Sequence, residues 1–254
     1  LGGKNRFCAN RLYLRGSLAE KEIVNLLLLP HHAAPAAENM ARDWLLLEGF
    51  AGPDEPRLRV YGWARPAWTF GYRQSWALAR AEAGPDVELV RRPTGGGLVD
   101  HRADWTYALV LPAKHALARM PAREGYRIVH TALAGALRAA GVPAELAPED
   151  APRAALAACF ARAEARDVVR GDDGRKLAGA AQRRRAAGVL VQGSVSRATA
   201  AEVRDWALLG EQFAQNLAKQ LGTGLKTWDG VAFAAAALAA ETTRFGSAAW
   251  NERR

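Results

Sequence analysis

Apolar residues in this 254-residue chain come in short runs, many of them closed by proline or glycine. Such punctuation admits strands and medium-length helices, and no run reaches the ~18 to 20 residues that a membrane span needs. The longest candidate, Ile23 to Leu29, is strand-sized and ends at Pro30. Further strands are expected at Leu58 to Trp63, Trp68 to Tyr72 ending near Gly71, Val87 to Arg91, Trp105 to Leu111 before Pro112, and Gly188 to Val195. Asp167 to Arg170 and Arg175 to Ala181 flank Gly171-Asp172-Asp173-Gly174 and predict a hairpin. Helical spacing marks Glu38 to Glu48, with Met40, Trp44 and Leu47 on one face and Gly49 as the stop. It also marks Glu124 to Ala140, where Tyr126, Val129, Leu133 and Leu137 share a face and Gly141 with Pro143 ends the run. Ala77 to Gly84 predicts a short helix, and two more are expected at about Ala200 to Leu221 and Asp229 to Arg244. His31 to Ala37 is expected to be a connection. Strands grouped among helices without a regular βαβ repeat predict an α+β fold with a mixed or antiparallel β-sheet flanked by helices. Residues 1–22 are basic and aperiodic and are expected to form a poorly ordered leader, with residues 23–254 as one folded domain.

Half of the residues are hydrophobic, enough for a sizeable core, and the formal charge of +9 calls for acidic partners. The basic residues are spread along the chain with no lysine-rich tail and no recognisable nucleic-acid module. Charge of this sign fits an acidic protein as well as nucleic acid. Two cysteines, Cys8 and Cys159, are too few for a disulfide framework, which predicts a reducing cytoplasm and leaves both thiols for chemistry. The histidines and cysteines show no paired metal-ligand spacing, so no metal site is expected.

Chemistry concentrates in two segments. In Arg91-Arg92-Pro93-Thr94-Gly95-Gly96-Gly97-Leu98-Val99-Asp100-His101, three consecutive glycines remove every Cβ, so that backbone N–H groups can approach a ligand and φ can be positive. An arginine before them can supply a fork for phosphate or carboxylate. A glycine triplet alone serves either as a tight structural turn or as a ligand loop. In Gly174-Arg175-Lys176-Leu177-Ala178-Gly179-Ala180-Ala181-Gln182-Arg183, a lysine followed by small residues is either solvated or a buried cation aimed at a carboxyl oxygen or phosphate.

Taken with Gln192-Gly193-Ser194-Val195, Glu38 to Asp43, Arg59 to Tyr72 and Arg244 to Asn251, these segments resemble the lipoate/biotin protein ligase and octanoyltransferase superfamily, in the correct order from about residue 23 to 254. The resemblance implies a class II aminoacyl-tRNA synthetase/biotin ligase-like catalytic domain, with a pocket between the glycine loop and the lysine strand. It assigns Arg92, Thr94, Gly95, Gly96, Gly97, Leu98, Val99, His101, Gly179, Ala180 and Gln192 to substrate binding, and makes Lys176 the lysine that contacts the acyl carbonyl. The implied partners are acidic lipoyl domains, of a glycine cleavage H protein or a 2-oxoacid dehydrogenase E2, together with acyl carrier protein; neither nucleic acid nor a membrane is implied.

Members of this superfamily work by two routes. Ligases need ATP and Mg to activate lipoate as an acyl-adenylate. Octanoyltransferases need no cofactor and pass an octanoyl group from a carrier thioester through a cysteine to a lysine. The second route needs a thiolate beside a positive group, because a nearby cation lowers the thiol pKa. Ala158-Cys159-Phe160 resembles the segment of the octanoyltransferase branch whose cysteine lies upstream of the lysine, so Cys159 and Lys176 are the expected catalytic pair. A small buried hydrophobe is the other fate of such a cysteine. Ala161 to Arg166 departs from the Pro-Ser-aromatic pattern of that branch, and Val191 stands where relatives often carry a polar residue; both changes are read as retuning acyl length or as a ligase-like pocket. A non-catalytic lipoate- or biotin-binding relative is the alternative from another class. The intact Lys176 and glycine triplet weigh against it.

Overall fold

The computed structural model describes residues 24–149 and 163–253; residues 1–22, expected to form a leader, and Cys8 and Cys159 lie outside them. The chain enters through β1 (Asn25–Leu28), a short β2 (His32–Ala34) and α1 (Ala36–Glu48). It continues through β3 (Arg57–Trp63), β4 (Ala67–Phe70), α2 (Trp76–Ala83), β5 (Glu88–Arg91), β6 (Val99–Asp100) and β7 (Asp104–Pro112). After α3 (Ala122–Ala139) come β8 (Ala144–Leu146), β9 (Val168–Arg170), β10 (Lys176–Arg185) and β11 (Gly188–Ser196). The last part holds α4 (Trp206–Leu221), β12 (Gly224–Thr227), α5 (Ala235–Gly246) and α6 (Ala248–Asn251).

Among the described residues the main sheet runs β12-β1-β3-β7-β11-β10-β9-β8, with β2 beside β3. β12 and β3 lie parallel to β1, while β3–β7, β7–β11, β11–β10, β10–β9 and β9–β8 are antiparallel, so the sheet is mixed. The period-two pattern of β7 divides the interior. Trp105, Tyr107, Leu109 and Leu111 enter a core shared with α3 and α4, whereas Ala108 and Val110 meet Leu46 and Leu47 of α1 on the other face. On α3, Val129, Leu133 and Leu137 are at most 1% exposed, and burying each is worth roughly 1.5–3 kcal/mol. Gly141, at φ 88°, ends that helix in the left-handed region that a side chain resists.

A second sheet, β5-β4-β6, sits apart and carries the glycine loop between β5 and β6. Every strand expected from the sequence is present, including the β9–β10 hairpin, with ends within about two residues except at β10, which runs on from the expected Ala181 to Arg185. Three expectations need correction. The segment expected to connect His31 to Ala37 contains β2, made a strand by parallel pairing of His32 with Tyr61 rather than by its own pattern. The expected Ala200 helix starts only at Trp206, because the Asp205 carboxylate accepts the N–H groups of Ala207 and Leu208, both at 2.9 Å. The helix expected from Asp229 begins at Ala235, and an edge strand with little apolar signal, β12, precedes it. No described helix is long and apolar enough to cross a membrane.

Candidate active site

The glycine loop is shaped by an arginine inside it and a glycine beneath it. Arg92, 6% exposed, donates through Nη1 to the Thr69 carbonyl and hydroxyl at 2.9 and 2.8 Å. Its Nη2 donates to the carbonyls of Gly95 and Gly97, both at 2.8 Å. The fork expected to meet a phosphate or carboxylate is thus occupied by the loop's own carbonyls, which fixes the loop. Gly71 lies so close below that a Cβ there would stand 1.9 Å from the Gly96 oxygen. Gly96 itself adopts φ 86°, and a Cβ on Gly95 would meet nothing within 4 Å, so this bend opens onto free space.

Two residues assigned to substrate binding stand behind this surface. Thr94 is fully buried and donates to Gln192 Oε1 at 2.7 Å, so it fastens the loop to β11 and does not line the cavity. Leu98 packs with Phe70, Ala79 and Leu89, as an apolar side chain at the loop's end should, and is likewise absent from the cavity wall.

His101 ends the loop segment. Its Nδ1 lies 2.5 Å from Asp104 Oδ2 and its Nε2 2.7 Å from Thr69 Oγ1, with Trp63 stacked on the ring at 4.0 Å. Because the Asp104 carboxylate can only accept, Nδ1 is the donor of that pair. Trp63 Nε1 donates to Thr106, which donates to Asp104, closing a chain from Arg92 to the wall of the cavity.

Lys176 opens β10, at a register shift between Lys176 and Ala178. Its Nζ is 2.7 Å from Asp167 Oδ2, and the two side chains are 8% and 9% exposed. Asp167 Oδ2 also accepts the Glu164 N–H at 2.7 Å, so the carboxylate is held from two sides. The ammonium lies across Gly179, where a Cβ would come within 2.8 Å of both Lys176 Cε and Nζ. Lysine and glycine loop open into one cavity of about 560 Å³. Of the residues assigned from the sequence, Arg92, Gly95, Gly96, Gly97, Val99, His101, Lys176, Gly179, Ala180 and Gln192 line it, and Cys159 lies outside the described residues. Val191, read as a change that retunes the pocket, points instead into the core beneath α3 and α4, because side chains alternate along β11 and it is the next residue, Gln192, that turns to the cavity.

Sequence reasoning missed a buried polar network beneath the cavity. Arg59 Nη1 lies 2.6 Å from Asp43 Oδ1, and Tyr61 and Gln192 donate to Oδ2 at 2.8 and 2.7 Å. Asn39 caps the other end of the Arg59 fork. Burial pushes the Asp43 carboxyl up, opposed by the Arg59 charge and by these hydrogen bonds. Burial, with the Asp43 charge, holds the Tyr61 phenol well above its ordinary range. Asn39 and Asp43, four apart on the otherwise apolar face of α1, were the available signal. His130 was also missed. Its Nδ1 meets the carbonyl of Arg166, a non-glycine residue at φ 71° just before Asp167, so it braces the bend that presents the carboxylate to Lys176.

Comparison with known proteins agrees with this geometry. Residues 35–223 match the family model of the lipoyl protein ligase A/B catalytic domain. Over 182 residues the chain is 38% identical to octanoyltransferase LipM of Symbiobacterium thermophilum, covering 67% of this chain and 65% of that protein. It is 37% identical to octanoyltransferase LipM of Moorella thermoacetica over 62% of this chain and 59% of that one. The chain therefore spans less than two thirds of the length of these relatives. Among solved structures, a lipoate-protein ligase A bound with ATP superposes with a TM-score of 0.66 at 18% identity, over 90% of this chain and 99% of that one. A bi-partite lipoate protein ligase from Thermoplasma acidophilum gives a TM-score of 0.65 at 18% identity, over 91% and 98%. These likenesses establish the shared fold.

Proposed function

The chain belongs to the lipoyl protein ligase A/B catalytic domain family, and we propose that it is an acyltransferase of protein lipoylation that moves an octanoyl group from a carrier-protein thioester, through Cys159, to a lysine of a lipoyl domain. The observation that carries this reading is a lysine ammonium, pinned by Asp167, facing a Cβ-free bend across a single cavity. The octanoyltransferase names of the relatives support the choice of acyl group and of route. Cys159 is five residues upstream of Glu164, which lines that cavity, so the covalent tether is short enough to bring the thiol to the ammonium.

In the first step the Cys159 thiolate attacks the thioester carbonyl, the C–S bond to the donor breaks, and the donor leaves as its thiolate, which takes a proton from solvent. Lys176 favours the thiolate by its charge, and with loop amides it stabilises the oxyanion of the tetrahedral intermediate. In the second step the neutral ε-amine of the carrier-domain lysine attacks the acyl-enzyme. The bond to Cys159 breaks, an amide forms, and the departing thiolate regains a proton from the amine. The net charge of +9 suits both acidic lipoyl domains and acyl carrier protein, and speeds docking most at low salt.

The test is transfer of octanoate from an octanoyl carrier-protein thioester to a lipoyl domain without ATP. Wild-type protein should modify the lipoyl domain and Cys159→Ser should not. Modification that requires ATP and free lipoate, and is indifferent to Cys159→Ser, would assign the chain to the ligase route instead.

A further inference from the structure

At the mouth of the cavity, Tyr72 and Arg183 form part of the wall. The Arg183 guanidinium lies 4.3 Å from the centre of the Tyr72 ring, and Arg253 approaches the same ring at 4.3 Å. Arg253 is seated on Trp250, at 3.6 Å, and that tryptophan is fixed because its indole N–H donates to the Arg91 carbonyl at 2.8 Å. Hydrogen bonding from Arg183 foremost, and the charge of Arg253, hold the Tyr72 phenol below its ordinary pKa.

Neighbouring arginines on this face are neutralised. Arg244 has Glu241 at 2.6 Å and Arg185 has Glu48 at 3.0 Å. Among the described residues, no carboxylate pairs with Arg183 or Arg253. Two like charges held against one ring repel each other, and an anion between them relieves the repulsion. Forked guanidiniums suit the two free oxygens of a phosphodiester in particular.

We propose that Arg183 and Arg253, bracketing Tyr72, form an anion subsite for the phosphodiester on the flexible arm that delivers the acyl thioester. This rests on the acyl-transfer reading above and adds the donor's recognition to it. A protein-bound thioester reaches an interior carbonyl site only on such an arm, and the arm's phosphodiester is the anion that arrives at the mouth. The acceptor lysine brings no such group, so the subsite serves the first half-reaction alone.

The experiment measures kcat/KM for acylation of the enzyme by two octanoyl thioesters, one on a phosphopantetheine-bearing carrier protein and one on pantetheine without phosphate. The ratio of the two constants should fall roughly 10- to 100-fold in the Arg183→Gln/Arg253→Gln protein, the size expected for losing charge-assisted hydrogen bonds. Arg183→Lys, which keeps the charge and loses the fork, should recover part of it. An unchanged ratio would overturn the subsite even though octanoyl transfer stands. Wild-type protein that accepts neither thioester would overturn the acyl-transfer reading, and the subsite with it. The phosphate of an acyl-adenylate, which also carries one charge on two free oxygens, is the other anion such a site could meet. If the same variants lose an ATP-dependent reaction with free octanoate while the thioester ratio holds, the donor-arm assignment fails.

Discussion

Gly179→Ala should uncouple catalysis from stability, because it acts on the Lys176–Asp167 pair and on little else. A Cβ at position 179 would stand 2.8 Å from Lys176 Cε and Nζ and 3.1 Å from Asp167 Oδ1. Comfortable contact needs ~3.5–4.0 Å, so the ammonium must retreat by roughly 1 Å. The end of a lysine chain can give way, and the stability cost should stay at about 1–3 kcal/mol, or a Tm loss of roughly 2–4 °C per kcal/mol. Catalysis is less forgiving. A misplacement of about 1 Å at a reacting carbonyl costs on the order of 100-fold in rate. Stopped-flow or quenched measurement of octanoyl transfer should therefore show a fall of about two orders of magnitude in a protein that still unfolds cooperatively. A Gly179→Ala enzyme with the wild-type rate would refute the claim that the position of the ammonium governs the chemistry.

Asp167→Ala leaves the Lys176 ammonium buried without its carboxylate, and urea denaturation should record a loss of about 3–5 kcal/mol; under 1 kcal/mol would mean the pair is not held as described. Gly71→Ala must displace the loop backbone, since the new Cβ would lie 1.9 Å from the Gly96 oxygen, and transfer activity should be abolished; retained activity would deny the loop its role. Burial lowers the His130 pKa from 6.5, so the unfolded chain binds the extra proton first and stability should fall as pH drops below about 6.5. Thermal melts across that window should show a shallower pH slope in His130→Gln than in the wild type, and equal slopes would exclude this ring as the source.

Legibility in the sequence followed the reach of each signal. Periodic patterns gave β7, β11 and α3 because a strand buried on both faces and an amphipathic helix write their environment into local residue order. β2 and β12 were hidden because their strand character comes from parallel neighbours, β3 and β1, that are distant in the chain. The glycine loop and Lys176 were visible as residue types in a fixed order, and the fold brought them to one cavity. What residue order could not tell was which side of the loop each group occupies. Arg92 turned inward to the loop carbonyls, Thr94 fastened the loop from behind, and Leu98 joined the apolar cluster under α2. The Asp43–Arg59 pair was equally obscure, since a charge on an apolar helix face has meaning only once the partner strand is known.

A crystal structure of the enzyme trapped with an octanoyl thioester tests the central claim most directly. The account predicts the acyl carbon bonded to Cys159 Sγ, with its carbonyl oxygen about 3 Å from Lys176 Nζ and facing the amides of Gly95 to Gly97. An octanoyl group bound elsewhere, or a carbonyl turned away from an ammonium still paired with Asp167, would contradict it.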